Sequence, residues 1–113
     1  IMNIKKELTK GSSSLLVLSV LEKEDMYGYQ IVKEIEMRSE SVFTLKEGTL
    51  YPILYRLEDE GMITATWSQG VGKTAPKKMY TATDKGQEER RRRNSVWKAF
   101  YKTVNRFYEE ETK

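Results

Sequence analysis

The chain contains no cysteine and no histidine. Disulfide bonds are therefore excluded, and so is a zinc site built from thiolates and imidazoles. Nucleophile pairs of the Cys–His and Ser–His kinds are excluded with them. Carboxylates remain for acid–base work or Mg²⁺ binding, but they alternate with lysine and arginine along helical stretches, a pattern that solvates a surface. No catalytic residue, metal site or cofactor is assigned, and the chain does not read as an enzyme. Long apolar runs are also missing. The longest, LLVLSVL at 15–21, is broken by Ser19 and falls well short of the ~20 residues that cross a bilayer. No membrane partner is expected. No basic segment followed by an apolar stretch opens the chain, so no secretory leader is expected and a cytoplasmic location follows.

What is present suits one small domain. The 113 residues carry a formal net charge of +3, and the pI is about 9.1. Such a mild excess permits nucleic-acid binding without requiring it. Its distribution is uneven: from Ser68 to Thr83 there is no acid, but there are Lys73, Lys77 and Lys78.

Periodicity divides the chain. A polar lead over 2–14, open to a short helical start, holds Ser12 to Ser14, which read as caps or weak starters, and an apolar helix follows to about Glu24. Asp25 reads as an N-cap or turn residue before DMYGYQIVKEIEMRSE, whose Ile31, Val32 and Ile35 make a helical stripe. Positions 39–45 connect to EGTLYPILYRLEDEG, where Leu50, Ile53, Leu54 and Leu57 recur at i, i+3, i+4 and i+7. Thr44 and Glu47 have capping-box spacing, Thr49 is a second candidate cap, Pro52 belongs in or near the first turn, and Gly61 stops the helix. MITATW and KKMYTAT then alternate as strands around SQGVGKTAP, a hairpin with a long tip. Thr83 is expected to cap a last helix that reaches Glu110, roughly 40 Å at ~1.5 Å per residue. Trp97, Phe100, Val104 and Phe107 repeat along it at heptad spacing, which calls for a partner helix.

Three helices, a hairpin and a long helix make a mainly α winged helix-turn-helix, with 1–82 as the DNA-binding domain and 83–113 as a dimerisation helix. The third helix would lie in the major groove. Its apolar stripe leaves Lys46, Glu47, Thr49, Tyr51 and Tyr55 off the core. Lys46 sits where a helix N-terminus favours phosphate, and hydroxyls can bond phosphates or base edges. Tyr29 and Lys33 of the second helix join the candidate DNA contacts, as do Lys73, Lys77 and Lys78 of the wing. The competing reading is that both Tyr51 and Tyr55 pack against the wing or the second helix and that the wing lysines are merely solvated. A protein-docking module without sequence-specific DNA binding is the alternative function.

The stretches MYGYQIVKEI, EGTLYPILYRLEDEGMI and KKMYTATDKGQEE, in that order, resemble the PadR-like transcriptional regulators over roughly Leu8 to Phe107. The resemblance implies a bacterial homodimer, usually a repressor, on an inverted-repeat operator that it releases when a small aromatic compound binds. The short length and single C-terminal helix are similar to the compact subgroup, in which a Trp of the last helix lines a pore at the dimer interface. Trp97 falls at the matching place, with Leu8, Leu15, Arg93, Asn94 and Tyr101 as its neighbours by position. Plain interface packing is the other role open to Trp97. Arg90 to Arg93 depart from the apolar pattern of the compact members. Either the helices diverge there, or Glu7 and Glu22 pair with the arginines, or the pore favours an anion.

Overall fold

The computed structural model describes the backbone of residues 4–70 and 72–109 and the side chains of 12–70 and 72–108. In chain order the elements are α1 (Ile4–Val20), β1 (Met26–Tyr27), α2 (Gly28–Arg38), α3 (Glu47–Asp59), β2 (Ile63–Ser68), β3 (Lys77–Ala82) and α4 (Asp84–Glu109). The three helices and the hairpin expected from periodicity are all present. So is the long last helix, whose 26 residues span about 39 Å at 1.5 Å per residue and help to stretch the molecule to 61 × 30 × 21 Å.

Apolar stripes from α1, α2, α3 and the sheet meet in one core. Val17, Leu18 and Leu21 come from α1 and its end, Ile31 and Ile35 from α2, Leu50, Ile53, Leu54 and Leu57 from α3, and Met26, Ile63 and Tyr80 from the sheet. Leu50, Leu54 and Leu57 are wholly withdrawn from solvent, so the rotation of α3 about its own axis is set by burial.

Several boundaries differ from the sequence reading, each for a local reason. Gly11 and Ser12–Ser14 lie inside α1 and do not start it. Ser12 and Ser14 are buried there, and Ser14 Oγ accepts a 2.6 Å hydrogen bond from Arg56 of α3, so tertiary contacts override weak helix propensity. The helix that follows Asp25 begins later, because Met26 and Tyr27 pair with Tyr80 and Met79 as a third, edge strand in a sheet of order β1-β3-β2. Tyr27 takes the N-cap place of α2, and its N–H donates to Gln30 Oε1 at 2.8 Å. Neither Thr44 nor Thr49 caps α3. Lys46 holds that position without a side-chain bond, and its carbonyl accepts from Thr49 and Leu50. Pro52 stands in the second turn of α3, deeper than expected, on the exposed side of the helix.

One predicted stop and one predicted start hold. Gly61 closes α3 at φ 74°, with its own N–H donating to Glu58 and that of Met62 to Leu57, the paired bonds of a Schellman ending. Thr83 caps α4: its Oγ1 accepts from Gly86 N–H at 3.0 Å and donates to the Gly61 carbonyl at 2.7 Å. Between α2 and α3 the chain turns through Glu40 and Ser41 at φ 51° and 67°, held by the Ser41 N–H on Glu36 and the Phe43 N–H on Ser39 Oγ.

Gly86 packs so tightly on the backbone that a β carbon there would run into the Met62 carbonyl, whereas one at Gly48 would stand in open space. Gly86→Ala is therefore expected to destabilise the fold by about 1–3 kcal/mol despite better helix propensity. Gly48→Ala should stabilise it by roughly 0.5–1 kcal/mol. Urea midpoints at constant m-value measure both. A gain at Gly86 would mean that α4 and β2 do not approach each other this closely.

Candidate nucleic-acid interface

With the Leu face of α3 fixed inward, the opposite side meets solvent. Lys46, Glu47 and Thr49 are exposed at its start, and Tyr55 is 56% exposed one turn beyond Tyr51. Tyr51 is not free in the same way. It is half-buried against the core, and its phenol oxygen lies 3.2 Å from where a β carbon of Gly28 would stand, so the glycine makes room for it. The two rings remain neighbours at 6.3 Å, tilted by 32°. One of the two tyrosines thus packs against the second helix, and the other is presented outward.

Period-2 alternation gives the sheet two faces. Ile63, Ala65 and Trp67 of β2 stand opposite Ala82, Tyr80 and Lys78 of β3. The inner part of this face, Ile63 and Tyr80, is core. Its outer part, Trp67 and Lys78, runs beyond the core past Tyr55. Between α2, α3 and the hairpin the surface sinks into an open groove of about 490 Å³ whose wall includes Tyr29, Glu47, Tyr51, Tyr55, Lys77 and Lys78. Six of the candidate DNA contacts therefore converge. Lys46 and Thr49 lie at the exposed start of α3, and Lys73 is exposed at the hairpin tip. Lys33 stands exposed one turn beyond Tyr29, bordering a shallow hollow with Glu34, Glu36, Met37 and Ser41. Tyr27 and Trp67 also line the groove and were missed from sequence. Alternation with the buried Ile63 is a signal that could have placed Trp67 on the core-facing side of β2, whereas its pairing with Lys78 depends on strand register.

Burial and electrostatics are marked at the groove floor. Burial, then the neighbouring Tyr51, Glu58 and Tyr55, push the Tyr80 phenol up to about 12. Among α3's acids, Glu47 alone lines the groove, while Asp59 and Glu60 are exposed at the far end of the helix.

On α4, Phe100, Tyr101, Phe107 and Tyr108 are exposed, while Trp97 and Val104 are half-buried. Trp97 meets the Phe100 ring edge-on at 5.9 Å and 89°. Arg93, Trp97 and Tyr101 are four apart and share a face. Asn94 and, on α1, Leu15 are half-buried. The side chains of Leu8 and Glu7 lie outside the described residues. The arginine run is largely paired. Arg90 reaches Glu22 at 3.4 Å, while Gln87 Nε2 donates to the Glu22 carbonyl. Arg92 and Arg93 both grip Glu89, at 2.6 and 2.7 Å. Hydrogen bonds from Arg92 and Arg93 hold the Glu89 carboxyl down at about 2. That contribution is complete above the usual carboxylate range and fades only as pH falls toward 2.

Comparison with known proteins places this geometry. The model of the transcriptional regulator PadR-like family matches residues 17–92. A transcriptional regulator from Clostridium thermocellum has a similar structure, with a TM-score of 0.79 and 29% identity, covering 89% of this chain and 97% of that one. The negative transcriptional regulator PadR of Bacillus subtilis strain 168 is 38% identical over 74 residues, which are 65% of this chain and 40% of that protein. The crystal structure of Bacillus subtilis PadR in complex with operator DNA is similar at a TM-score of 0.62 and 33% identity, over 69% of this chain and 44% of that one.

The placement of Tyr80 has a spectroscopic consequence. Among seven tyrosines, one phenol should ionise late, at about 12, and Tyr80→Phe should remove that step from the ultraviolet titration. Since the folded value lies above the ordinary 10.0, the stability it confers is full below pH 10 and is lost as pH rises toward 12. Over that window Tyr80→Phe should lose less stability than the parent. A late step that survives the substitution would assign it to another ring.

Proposed function

We propose that this chain, which belongs to the transcriptional regulator PadR-like family, acts as a homodimeric repressor that reads an inverted-repeat operator through α3 and grips its backbone with the wing. Residues 1–82 form the reading unit and 83–113 the dimerisation helix in this proposal. The observation that carries it is the convergence of the α3 start and the wing lysines on one groove, in a chain similar to a regulator solved on its operator. Lys46, Thr49 and Tyr55 are exposed where α3 would enter the major groove. Lys77 and Lys78 would meet phosphates beside it, and Lys73 at the tip would reach further along the backbone. Tyr29 and Lys33 would add contacts from the start of α2.

Dimerisation supplies the second half-site. The exposed aromatic stripe of α4 suits a second copy of the chain, which would set two reading helices about 34 Å apart, one turn of DNA. An effector in the seam beside Trp97 could release DNA only by binding one dimer geometry better than another. Three of the four arginines at this level share two carboxylates, Glu22 and Glu89, so positive charge is left over and a flat neutral or anionic aromatic compound is the proposed effector. Tight binding of cationic dyes that quench Trp97 would contradict that choice. Such a protein would work in the cytoplasm of a bacterium.

The protein-docking reading is separated from this one by salt. Duplex DNA from upstream of the chain's own gene should bind selectively over scrambled DNA in fluorescence anisotropy and weaken steeply as salt rises. Lys77→Ala with Lys78→Ala should weaken both sequences alike and flatten the slope by roughly one unit for each phosphate left without its lysine. A slope unchanged in the double variant would remove the wing from the interface. Phe100→Glu with Phe107→Glu places charges on the exposed α4 stripe and should convert the dimer to monomer in sedimentation, with operator affinity falling at least tenfold, a loss of ~1.4 kcal/mol or more. A persistent dimer would put the interface elsewhere.

A further inference from the structure

The two lysines at the outer end of the wing strand β3 are both seated on aromatic rings. Lys78 stands directly across the ladder from Trp67. Its Nζ lies 5.4 Å from the centre of that ring and 5.9 Å from the Tyr55 ring of α3. Lys77, next to it on β3, lines the same groove. Its Nζ lies 5.0 Å from the Tyr29 ring and 5.8 Å from Tyr27, two rings stacked 5.9 Å apart and 10° from parallel. Each ammonium therefore rests between one ring from a strand and one from a helix. Neither lysine is held by a carboxylate among the described residues.

The choice of partner matters for what the charge can do next. A carboxylate neutralises a lysine and must be displaced before a phosphate can take its place. A ring attracts the ammonium through its quadrupole and leaves its charge whole. The ring also restricts a long side chain whose rotamer freedom would otherwise be lost on binding. Trp67 is 67% exposed, so it contributes little to the core, and its position on the wing is explained by the lysine it carries.

We propose that Trp67 and Tyr29 are positioning residues for DNA binding: they hold the ammonium groups of Lys78 and Lys77 at fixed places on the rim of the groove, so that phosphates meet charges already in place. The inference rests on the DNA-binding reading above and adds to it Trp67, which acts through Lys78 without touching DNA, while Tyr29 gains a second task beside its own contact.

A double-mutant cycle read by duplex anisotropy tests it. Trp67→Leu keeps apolar bulk and removes the ring. It should weaken duplex binding by about three- to tenfold per wing while leaving the salt slope unchanged, because as many phosphates are neutralised as before. Trp67→Phe should restore most of the affinity. In a Lys78→Gln background, Trp67→Leu should have no further effect, since the residue acts through the lysine. An equal loss in both backgrounds would mean that Trp67 touches DNA itself and would overturn the proposal, as would no loss at all. A DNA-free measurement separates the two readings. Ring currents should displace the Lys78 ε-methylene protons upfield in the free protein, and Trp67→Leu should reduce the displacement to the part that Tyr55 supplies. Its absence from the parent protein overturns the seating whatever DNA does. Its presence in a protein that binds no duplex faults the regulator reading and leaves the seating intact.

Discussion

The end of α3, the start of β2 and the start of α4 are tied together at one knot of backbone. Thr83 donates its N–H to the Met62 carbonyl at 3.0 Å and its hydroxyl to the Gly61 carbonyl, while the same hydroxyl caps α4 through Gly86. Lys85 Nζ donates to the Glu60 carbonyl at 2.6 Å. The Glu60, Gly61 and Met62 carbonyls just past α3 are thus satisfied by Thr83 and Lys85, and the Gly86 N–H at the start of α4 is satisfied by the Thr83 hydroxyl. Gly86 is what lets the two backbones come so close. Because these contacts are between backbones and short side chains, the angle between α3 and α4 has little room to vary. In the proposed dimer, this fixed junction between a reading helix and a dimerisation helix would carry a change in dimer geometry to DNA.

The sheet serves two purposes along its length. Near the knot its inner face buries Ile63 and Tyr80 among the helices. Further out the same face, with the same alternation, carries Trp67 and Lys78 past the core and opposite Tyr55. The edge strand β1 brings Tyr27 against β3 and, through Gly28, lets Tyr51 lie across the start of α2. One short sheet is therefore core at its base and a charged, ring-lined rim at its free end, with no break in pattern between them. The arginine run on α4 behaves similarly. In sequence it left divergence, pairing with Glu7 and Glu22, or an anion-favouring pore open; Glu22 and Glu89 take up three of its four members, one across the fold and two within the helix.

Much of this was legible in the order of residues alone. Helix periodicity identified α3 and its buried face, Gly61 and Thr83 marked the ends that they do mark, and alternation around a Gly-rich tip identified the wing. Those signals are local: each depends on spacing within a few residues and on the chemistry of a cap or turn. What local spacing could not supply was β1, because two residues pair with a strand more than fifty positions away and have no periodicity of their own. The same limit hid the continuation of α1 through its serines, where contacts from α3 outweigh propensity.

At the candidate interface the division falls in the same place. Composition, the acid-free hairpin and the apolar stripe of α3 determined that a lysine-bearing wing would flank an outward-facing helix surface, since burial of one helix face necessarily exposes the other. Only the tertiary structure decided that Tyr51 turns toward α2 while Tyr55 stays outside, that Trp67 lies under Lys78, and that Arg90 meets Glu22. Each of those outcomes depends on strand register or helix packing. A shift of one residue in register would turn every side chain of a strand to the opposite face.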